Sequence, residues 1–358
     1  MNRLEAQLHY PFGDALPAPG QPIEIADGIH WLRMPLPFAL DHINLWLMRD
    51  ALDGRDGWTV VDCGVATDEI RRLWERLFAD GLGGLPVLRV LCTHMHPDHL
   101  GLAGWLTARF DAPLWMTLGE YGIGRVLATP RPAAADAMRD DPSAEHFARH
   151  GVAPAMVDAI RRRNRDYFAT LVPSVPASFV RIADGDTLRI GGRAWRVIVG
   201  RGHSPEHAAL YCADDRLLVS GDMVLPRIST NCSVYELEPL ADPLRWYLDS
   251  LGRFGDCAED TLVLPSHGRP FRGLATRIGQ LVDHHDERFA LVLAACDRRA
   301  LTAADAVPVV FGREFDTHQT TFAVGEALAH LHALWYAGRL ARRVGDDGIV
   351  RFEAACVA

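Results

Sequence analysis

The six residues His94-Met95-His96-Pro97-Asp98-His99 constrain the fold of this chain more than any other segment. Three imidazoles and one carboxylate follow directly on the apolar run Val87–Leu91, which predicts a buried strand. Because Pro97 interrupts a continuous helix, the segment is predicted to form a loop at the end of that strand. Imidazoles and carboxylates are ligands for Zn, Fe and Mn, and four such groups in one short loop favour a metal site over isolated surface histidines.

Three later segments each combine a predicted strand end, a glycine and a ligand-type side chain. They are Gly202-His203-Ser204-Pro205-Glu206-His207, Ser220-Gly221-Asp222 and Pro265-Ser266-His267-Gly268. Asp62 ends another predicted strand in the same manner. Glycine permits a sharp backbone turn, and open α/β folds place functional groups at the carboxyl ends of strands. We therefore expect these side chains to converge on one centre.

Hydrophobic patterning predicts two strand-rich halves separated by a helical stretch. A helix with Thr67 as its N-cap follows the first three strands, which gives a βαβ pattern. Residues from about 118 to 176 are helical in composition and are interpreted as an insertion that could serve as a lid. The turn Ala183-Asp184-Gly185-Asp186 is predicted to close a hairpin. The predicted strands are Ile29–Leu32, Ile43–Leu47, Trp58–Asp62, Val87–Leu91, Phe179–Ile182, Thr187–Ile190, Trp195–Val199, Ala208–Cys212, Leu217–Ser220 and Thr261–Leu264.

The pattern changes after Arg272. Three predicted helices follow, the second beginning at Thr302, and the strands 340–344 and 349–352 then flank a Gly-Asp-Asp-Gly turn. Three helices and a β-wing are typical of a winged-helix module. The chain is therefore divided into a catalytic domain, residues 1–272, with the helical insertion at about 118–176, and a small C-terminal domain, residues 273–358.

The histidine segment and the three later groups together resemble the metallo-β-lactamase superfamily, whose His-x-His-x-Asp-His motif is matched in full at residues 94–99. The resemblance covers roughly residues 20–272. It implies an α+β fold, an αβ/βα four-layer sandwich with two metal ions at one edge. The C-terminal module adds a similarity to winged-helix-bearing β-lactamase-like proteins, some of which are endoribonucleases.

This resemblance assigns roles to individual residues. His94, His96 and His203 would hold the first metal; Asp98, His99 and His267 would hold the second; and Asp222 would bridge both. Asp62 is similar to a carboxylate that orients a ligand imidazole, and His207 is expected to order the loop around His203. Asn44, Asn231 and Tyr235 are candidate substrate contacts, whereas the basic cluster at 161–165 favours a solvated helix face.

The implied reaction uses two divalent ions, with Zn expected and Fe or Mn as alternatives. A bridging hydroxide would attack a carbonyl or phosphorus centre, and Asp98 would also orient this nucleophile or accept its proton. The first hypothesis is a hydrolase of a small thioester, ester or lactone, similar to glyoxalase II. A phosphodiesterase or single-strand endoribonuclease and a mononuclear iron enzyme similar to persulfide dioxygenases are alternatives, and a catalytically silent scaffold is a further option.

Composition narrows these alternatives. All 37 basic residues are arginine, and 46 acidic residues give a formal net charge of −9, which argues against a nucleic-acid partner. The seven cysteines form no Cys-x-x-Cys pair and are predicted to be free thiols. With no apolar run of membrane-spanning length and no secretory pattern in residues 1–20, we expect a cytoplasmic enzyme with a small-molecule substrate, and a homodimer remains an option. Four histidines of the last domain are predicted on helix surfaces, namely His284, His285, His330 and His332.

Overall fold

The computed structural model describes residues 4–38, 40–129, 141–162, 167–312 and 317–355. Seven strands form the first sheet in chain order, with antiparallel pairing up to the fourth strand and parallel pairing after it. These strands are β1 Ile23–Ala26, β2 Ile29–Pro35, β3 His42–Leu52, β4 Arg55–Val61, β5 Val87–Leu91, β6 Leu114–Met116 and β7 Val180–Arg181.

Five strands form the second sheet, in the order β12-β11-β10-β9-β8. Among the described residues, β11 and β12 pair in parallel and the other neighbouring strands of this sheet pair antiparallel. The strands are β8 Thr187–Ile190, β9 Arg193–Gly200, β10 His207–Cys212, β11 Leu217–Gly221 and β12 Leu262–Pro265. All ten predicted strands are therefore present, with ends that differ by a few residues, whereas the short strands β1 and β6 were not predicted.

The two sheets pack face to face through one apolar cluster. Trp31 and Trp46 of the first sheet and Trp195 and Leu210 of the second sheet are buried in it. Because successive side chains of a strand point to opposite faces, the outer face of each sheet is free to bury helices. Helices α1 and α3 cover the first sheet, and α8 covers the second, while α9 and α11 belong to the same apolar cluster as α8. This arrangement confirms the αβ/βα sandwich.

The helices of the described residues have these bounds: α1 Asp68–Arg76, α2 Pro97–Leu100, α3 Ala103–Phe110, α4 Leu118–Ala128, α5 Pro142–Arg149, α6 Pro154–Arg162, α7 Tyr167–Leu171, α8 Pro243–Leu251, α9 Leu274–Cys296, α10 Ala303–Phe311 and α11 Thr317–Tyr336. The Thr67 hydroxyl accepts a hydrogen bond from the amide of Ile70, which confirms the predicted N-cap of α1. Thr302 and Asp305 form a capping box at α10.

After α11 the chain forms an antiparallel hairpin from β13 Leu340–Val344 and β14 Val350–Ala354. The last domain thus contains its three helices and two strands in the predicted order. The winged-helix assignment and the boundary at residue 272 stay predictions. No helix within the described ranges combines the length and the apolar character needed to cross a membrane.

A buried ion pair ties the first sheet to the start of the second. Nη2 of Arg89 lies 2.6 Å from Oδ2 of Asp50, and both side chains are almost completely buried. The same guanidinium donates to the carbonyl of Arg189 in β8, and the other Asp50 oxygen accepts from the amide of Gly191. These contacts fix the relative position of the two sheets away from the candidate site.

Three local predictions are wrong. The turn at 183–186 does not close a hairpin, because β7 and β8 belong to different sheets and the turn leads from one layer to the other. The segment of residues 94–99 is not a loop throughout, because helix α2 begins at Pro97. Proline is compatible with the first position of a helix, where the backbone amide makes no hydrogen bond within the helix. His285, His330 and His332 are fully buried, and only His284 of that group is partly exposed.

The described cysteines carry free thiols, as predicted. Two other predictions fall partly outside the described residues. Cys356 and positions 163–165 of the basic cluster lie there. The described part of that cluster is on α6, where Arg161 pairs with Asp158 at 3.1 Å.

Candidate metal centre

Side chains from four strand ends converge at one edge of the two sheets. His94 follows β5, His203 follows β9, Asp222 follows β11 and His267 follows β12. The turn before Asp222 requires glycine, because Gly221 has a φ of +54° and an added Cβ would lie 2.3 Å from Nε2 of His207. The local backbone therefore brings this aspartate close to the histidines.

Three imidazoles form a first group, called the first trio below. Nε2 of His94 lies 2.9 Å from Nδ1 of His96 and 3.1 Å from Nε2 of His203. The three nitrogen atoms face one point, as the ligands of a single ion would.

Two imidazoles and a carboxylate form the second trio. Oδ2 of Asp98 lies 3.6 Å from Nε2 of His99 and 3.4 Å from Nε2 of His267. His94, in the first trio, packs against His99 with ring centroids 3.9 Å apart, so the two trios are direct neighbours.

Asp222 lies between the trios and directs one oxygen to each. Its Oδ2 is 3.4 Å from Nε2 of His203 in the first trio. Its Oδ1 is 3.6 Å from Nε2 of His99 and 3.5 Å from Nε2 of His267 in the second trio. A carboxylate in this position can serve two ions at once.

The outer nitrogens of three imidazoles face acceptors, which orients their inner nitrogens. Nδ1 of His203 donates to the carbonyl of Asn231 at 2.8 Å, and Nδ1 of His267 donates to the carbonyl of His42 at 2.7 Å. Nδ1 of His99 lies 2.8 Å from Oδ2 of Asp62. Because the Nδ1 atoms face these oxygens, the Nε2 atoms of the three rings are directed to the centre.

Two buried polar atoms at the centre have no partner among the described protein groups. Nε2 of His99 and Oδ1 of Asp222 are buried and have no hydrogen-bond partner among the described residues. A buried polar atom without a partner is costly unless another ligand satisfies it. Both atoms face the second trio, so the donor set fits divalent cations.

The carboxylates and imidazoles of the second trio support each other's charged forms. Burial opposes ionisation of Asp98, but His99 and His267 outweigh it and lower the pKa of Asp98 to about 2. Burial likewise opposes the charge of His99, but Asp62, Asp98 and Asp222 raise its pKa to about 9. In the first trio, burial and the ring of His203 lower the pKa of His96 to about 3, so this imidazole is neutral and ready to bind a cation.

His207 orders a different segment from the one predicted. Its Nε2 accepts a hydrogen bond from the amide of Asp222 at 3.0 Å, so it fixes this aspartate. The sequence suggested the loop of His203, because His207 belongs to the same segment as that residue.

The three candidate substrate contacts lie among protein groups. Asn44 is fully buried, donates to the carbonyls of Pro265 and Gly268 and accepts from Trp31, so its side chain has no free group for a substrate. Asn231 contacts His203 only through its carbonyl. Tyr235 lies further along the same loop, where burial raises the pKa of its hydroxyl to about 12.

Sequence reasoning missed two buried glutamates that contact the ligand loops. Glu120 of α4 accepts hydrogen bonds from the amides of Met95 and Glu206 and from the hydroxyl of Ser204. Glu326 of α11 accepts from the side chain of Asn231. Both are acidic residues on helices without a motif, so the only available signal was the apolar character of the residues around Glu326.

Comparison with known proteins gives matches over most of the chain. Residues 39–267 match the family model described as the metallo-beta-lactamase superfamily, and residues 289–355 match a metallo-beta-lactamase-like C-terminal domain. A crystal structure of a beta-lactamase domain protein from Burkholderia ambifaria has 55% sequence identity and a TM-score of 0.92, and the match covers 99% of this chain and 100% of that one.

Two curated relatives are more distant. A probable metallo-hydrolase of Bacillus subtilis is 24% identical, and the match covers 85% of this chain and 91% of the relative. An acyl-coenzyme A thioesterase of Bos taurus is 27% identical, and the match covers 56% of this chain and 64% of the relative.

Proposed function

The chain belongs to the metallo-β-lactamase superfamily, and we propose that it is a hydrolase of a small acyl thioester that works with two divalent ions. The observation that carries the proposal is the position of Asp222, which directs one oxygen to each of two complete trios. If the site bound only one ion, the three ligand-type groups of the second trio would coordinate no metal. Zinc is the proposed metal, because it accepts imidazole and carboxylate in four-coordinate sites.

Each proposed ion has a defined set of protein ligands. The first trio would hold one ion and the second trio the other, with Asp222 shared between them. Divalent ions there would act as Lewis acids and would lower the pKa of a bound water towards neutrality. The protein itself supplies the fixed geometry, since the imidazoles of His99, His203 and His267 are held through their outer nitrogens.

Asp98 is the proposed residue that orients the attacking water. Its side chain is 17% exposed, compared with 10% for Asp222 and 0% for His99, so it is the acidic ligand most accessible from solvent. Because the pKa of Asp98 is lowered to about 2, its carboxylate is ionised at neutral pH and can accept a hydrogen bond from water.

The thioester class is proposed from the relatives together with the charge of the chain. The Bos taurus relative is named an acyl-coenzyme A thioesterase, and its match includes more than half of this chain. A nucleic-acid substrate would require clustered cations, whereas the residues after 272 contain nine arginines against eleven acidic residues. A small-molecule substrate is consistent with both observations.

The test joins metal analysis with a substrate panel. Protein purified without added metal is analysed for Zn, Fe and Mn, and is then assayed with acyl-coenzyme A and acyl-glutathione thioesters, simple esters and lactones. Wild-type protein should contain about two ions per chain. Asp222→Ala should lose metal and thioester hydrolysis, whereas Asp286→Ala, a change of an exposed aspartate on α9, should retain both.

Two results would contradict the proposal. A single iron per chain that Asp222→Ala retains would remove the shared role of Asp222 and favour the mononuclear iron enzyme. Two ions together with hydrolysis of esters or lactones but not of thioesters would refute the thioester assignment alone.

A further inference from the structure

The two segments added to the core sandwich both reach the loops of the first trio. Helix α4 begins the inserted helices, and helix α11 belongs to the last domain. Each contributes one buried glutamate, Glu120 from α4 and Glu326 from α11, with exposed fractions of 0% and 7%. Burying an acidic side chain is costly, so its hydrogen-bond partners indicate what it is there to hold.

Glu120 connects the loop of His94 and His96 with the loop of His203. Its Oε2 accepts from the amide of Met95 at 2.9 Å. Its Oε1 accepts from the hydroxyl of Ser204 and from the amide of Glu206, each at 2.6 Å. Met95 lies between two ligands of the first trio, and Ser204 directly follows the third, so one carboxylate fixes all three loop positions.

Glu326 acts on His203 through one intermediate residue. Its Oε2 accepts from Nδ2 of Asn231 at 2.8 Å, and the carbonyl of Asn231 accepts from Nδ1 of His203, also at 2.8 Å. The hydroxyl of Ser233 donates to Oδ1 of Asn231 at 2.7 Å, so the amide is held at both ends. Helix α11 packs closely here, since a Cβ added at Gly325 would lie 2.8 Å from the side chain of Ser233.

The groups that hold the second trio differ from Glu120 and Glu326, and they come from the first sheet or the loops that end its strands. One of them, Asp62, also accepts from the hydroxyl of Thr93, which lies 3.0 Å from Nδ1 of His94 in the first trio. Asp62 follows β4 and contacts Nδ1 of His99. The carbonyl of His42 in β3 accepts from Nδ1 of His267, and Asn44 of the same strand holds the loop around His267. Neither added segment contributes to these contacts in the described residues.

We propose that Glu120 and Glu326 are positioning residues for the first trio, so that the inserted helices and the last domain set the affinity of the first metal position independently of the second. The inference rests on the proposed function only in requiring an ion at each trio. Residues that orient metal ligands typically change metal affinity by about 10–100-fold when they are replaced. We expect a loss of this size at the first position.

The test measures Zn²⁺ affinity one position at a time. His267→Ala removes a ligand of the second trio and leaves the first position, whereas His96→Ala leaves the second position. In the His267→Ala background, Glu326→Met should weaken Zn²⁺ binding by about 10–100-fold, read by competition with a chromophoric chelator. Glu326→Gln is the matched control, because its amide oxygen can still accept from Asn231 and affinity should stay within about twofold of the parent.

Glu120→Gln tests the second residue in the same way. The Glu120 carboxylate accepts hydrogen bonds from three donors through its two oxygens. A Gln side chain has only one oxygen, so its NH₂ group would face at least one of these donors, and we expect the loops to shift. Glu206→Gln is the control in the same region, because a Gln oxygen can replace the Glu206 oxygen that accepts from Gly119. Circular dichroism and melting of each metal-free variant establish that the chain is folded.

In the His96→Ala background, Glu326→Met and Glu120→Gln should leave Zn²⁺ affinity unchanged. Equal losses at both positions would overturn the inference, because the added segments would then support the whole centre. Unchanged affinity at the first position in folded variants would overturn it as well. Wild-type protein that binds two Zn²⁺ but hydrolyses no thioester would refute the proposed function and leave this inference intact.

Discussion

Glu326 should make the stability of the protein fall as pH rises through neutrality. Burial raises the pKa of this carboxyl from 4.5 to about 7, while the hydrogen bond from Asn231 and the charge of Arg288 act in the opposite direction. A carboxyl with a raised pKa keeps its proton in the folded state after the unfolded chain has lost it. The stabilisation is therefore fully present below pH 4.5 and is lost as pH rises through about 7.

The size of the effect follows from the two pKa values. The difference between 4.5 and about 7 corresponds to about 3 kcal/mol in the free energy of unfolding. Most of this change, about 2 to 3 kcal/mol, falls between pH 5 and pH 8. For a chain of 358 residues, it corresponds to a shift of about 4 °C in melting temperature.

Glu326→Gln isolates this contribution. Gln keeps the acceptor for Asn231 but cannot ionise, so the variant should be more stable than wild type by about 3 kcal/mol at pH 8 and by less than about 1 kcal/mol at pH 5. Urea unfolding of both proteins at several pH values, with a chelator present to exclude metal binding, gives the difference. Every other titrating group is common to both proteins. A difference in the free energy of unfolding between wild type and variant that is the same at pH 5 and pH 8 would therefore refute the reasoning.

Three further predictions concern the centre and the core. Asp62→Asn should weaken Zn²⁺ binding at the second trio by about 10–100-fold in a chelator competition, because an amide cannot replace both carboxylate oxygens. Gly221→Ala should lower stability by several kcal/mol in urea melts through overlap with His207, whereas Gly192→Ala, also at positive φ but in open space, should cost about 1–2 kcal/mol. Arg89→Met should cost about 3–5 kcal/mol by leaving its carboxylate partner buried and unpaired, with metal content unchanged.

The candidate ligands could be predicted from the sequence because ligand-type residues are concentrated in a few short segments. Residues 94–99 contain four ligand types, and the later histidines and Asp222 each follow a strand that hydrophobic runs identify. What local patterns could not show is which layer a strand joins. The turn at 183–186 has the residues of a hairpin turn, yet β8 pairs with β9 in the other sheet. Sheet assignment depends on long-range packing, so a local pattern does not determine it.

The buried histidines of α11 illustrate a signal that was present in the sequence. His330 and His332 lie in a segment that is apolar on nearly every side, and a helix of that kind is normally buried. Their Nδ1 atoms bond to the carbonyls of Glu326 and Ala241, so each buried imidazole has one protein partner. Residue type alone suggested a surface position, whereas the neighbouring residues pointed to the core.

The contacts of helix α4 limit the interpretation of the insertion as a lid. Three hydrogen bonds to the Glu120 carboxylate would have to break if α4 moved away, and each is worth about 1.5–3 kcal/mol. The start of the helix is held as well, since Glu206 accepts from Thr117 through its carbonyl and from Gly119 through its carboxylate. The combined cost approaches the whole free energy of unfolding of a typical domain, which is about 5–15 kcal/mol. Helix α4 is therefore expected to stay in place beside the centre, and among the described helices of the insertion a lid movement would involve α5, α6 or α7.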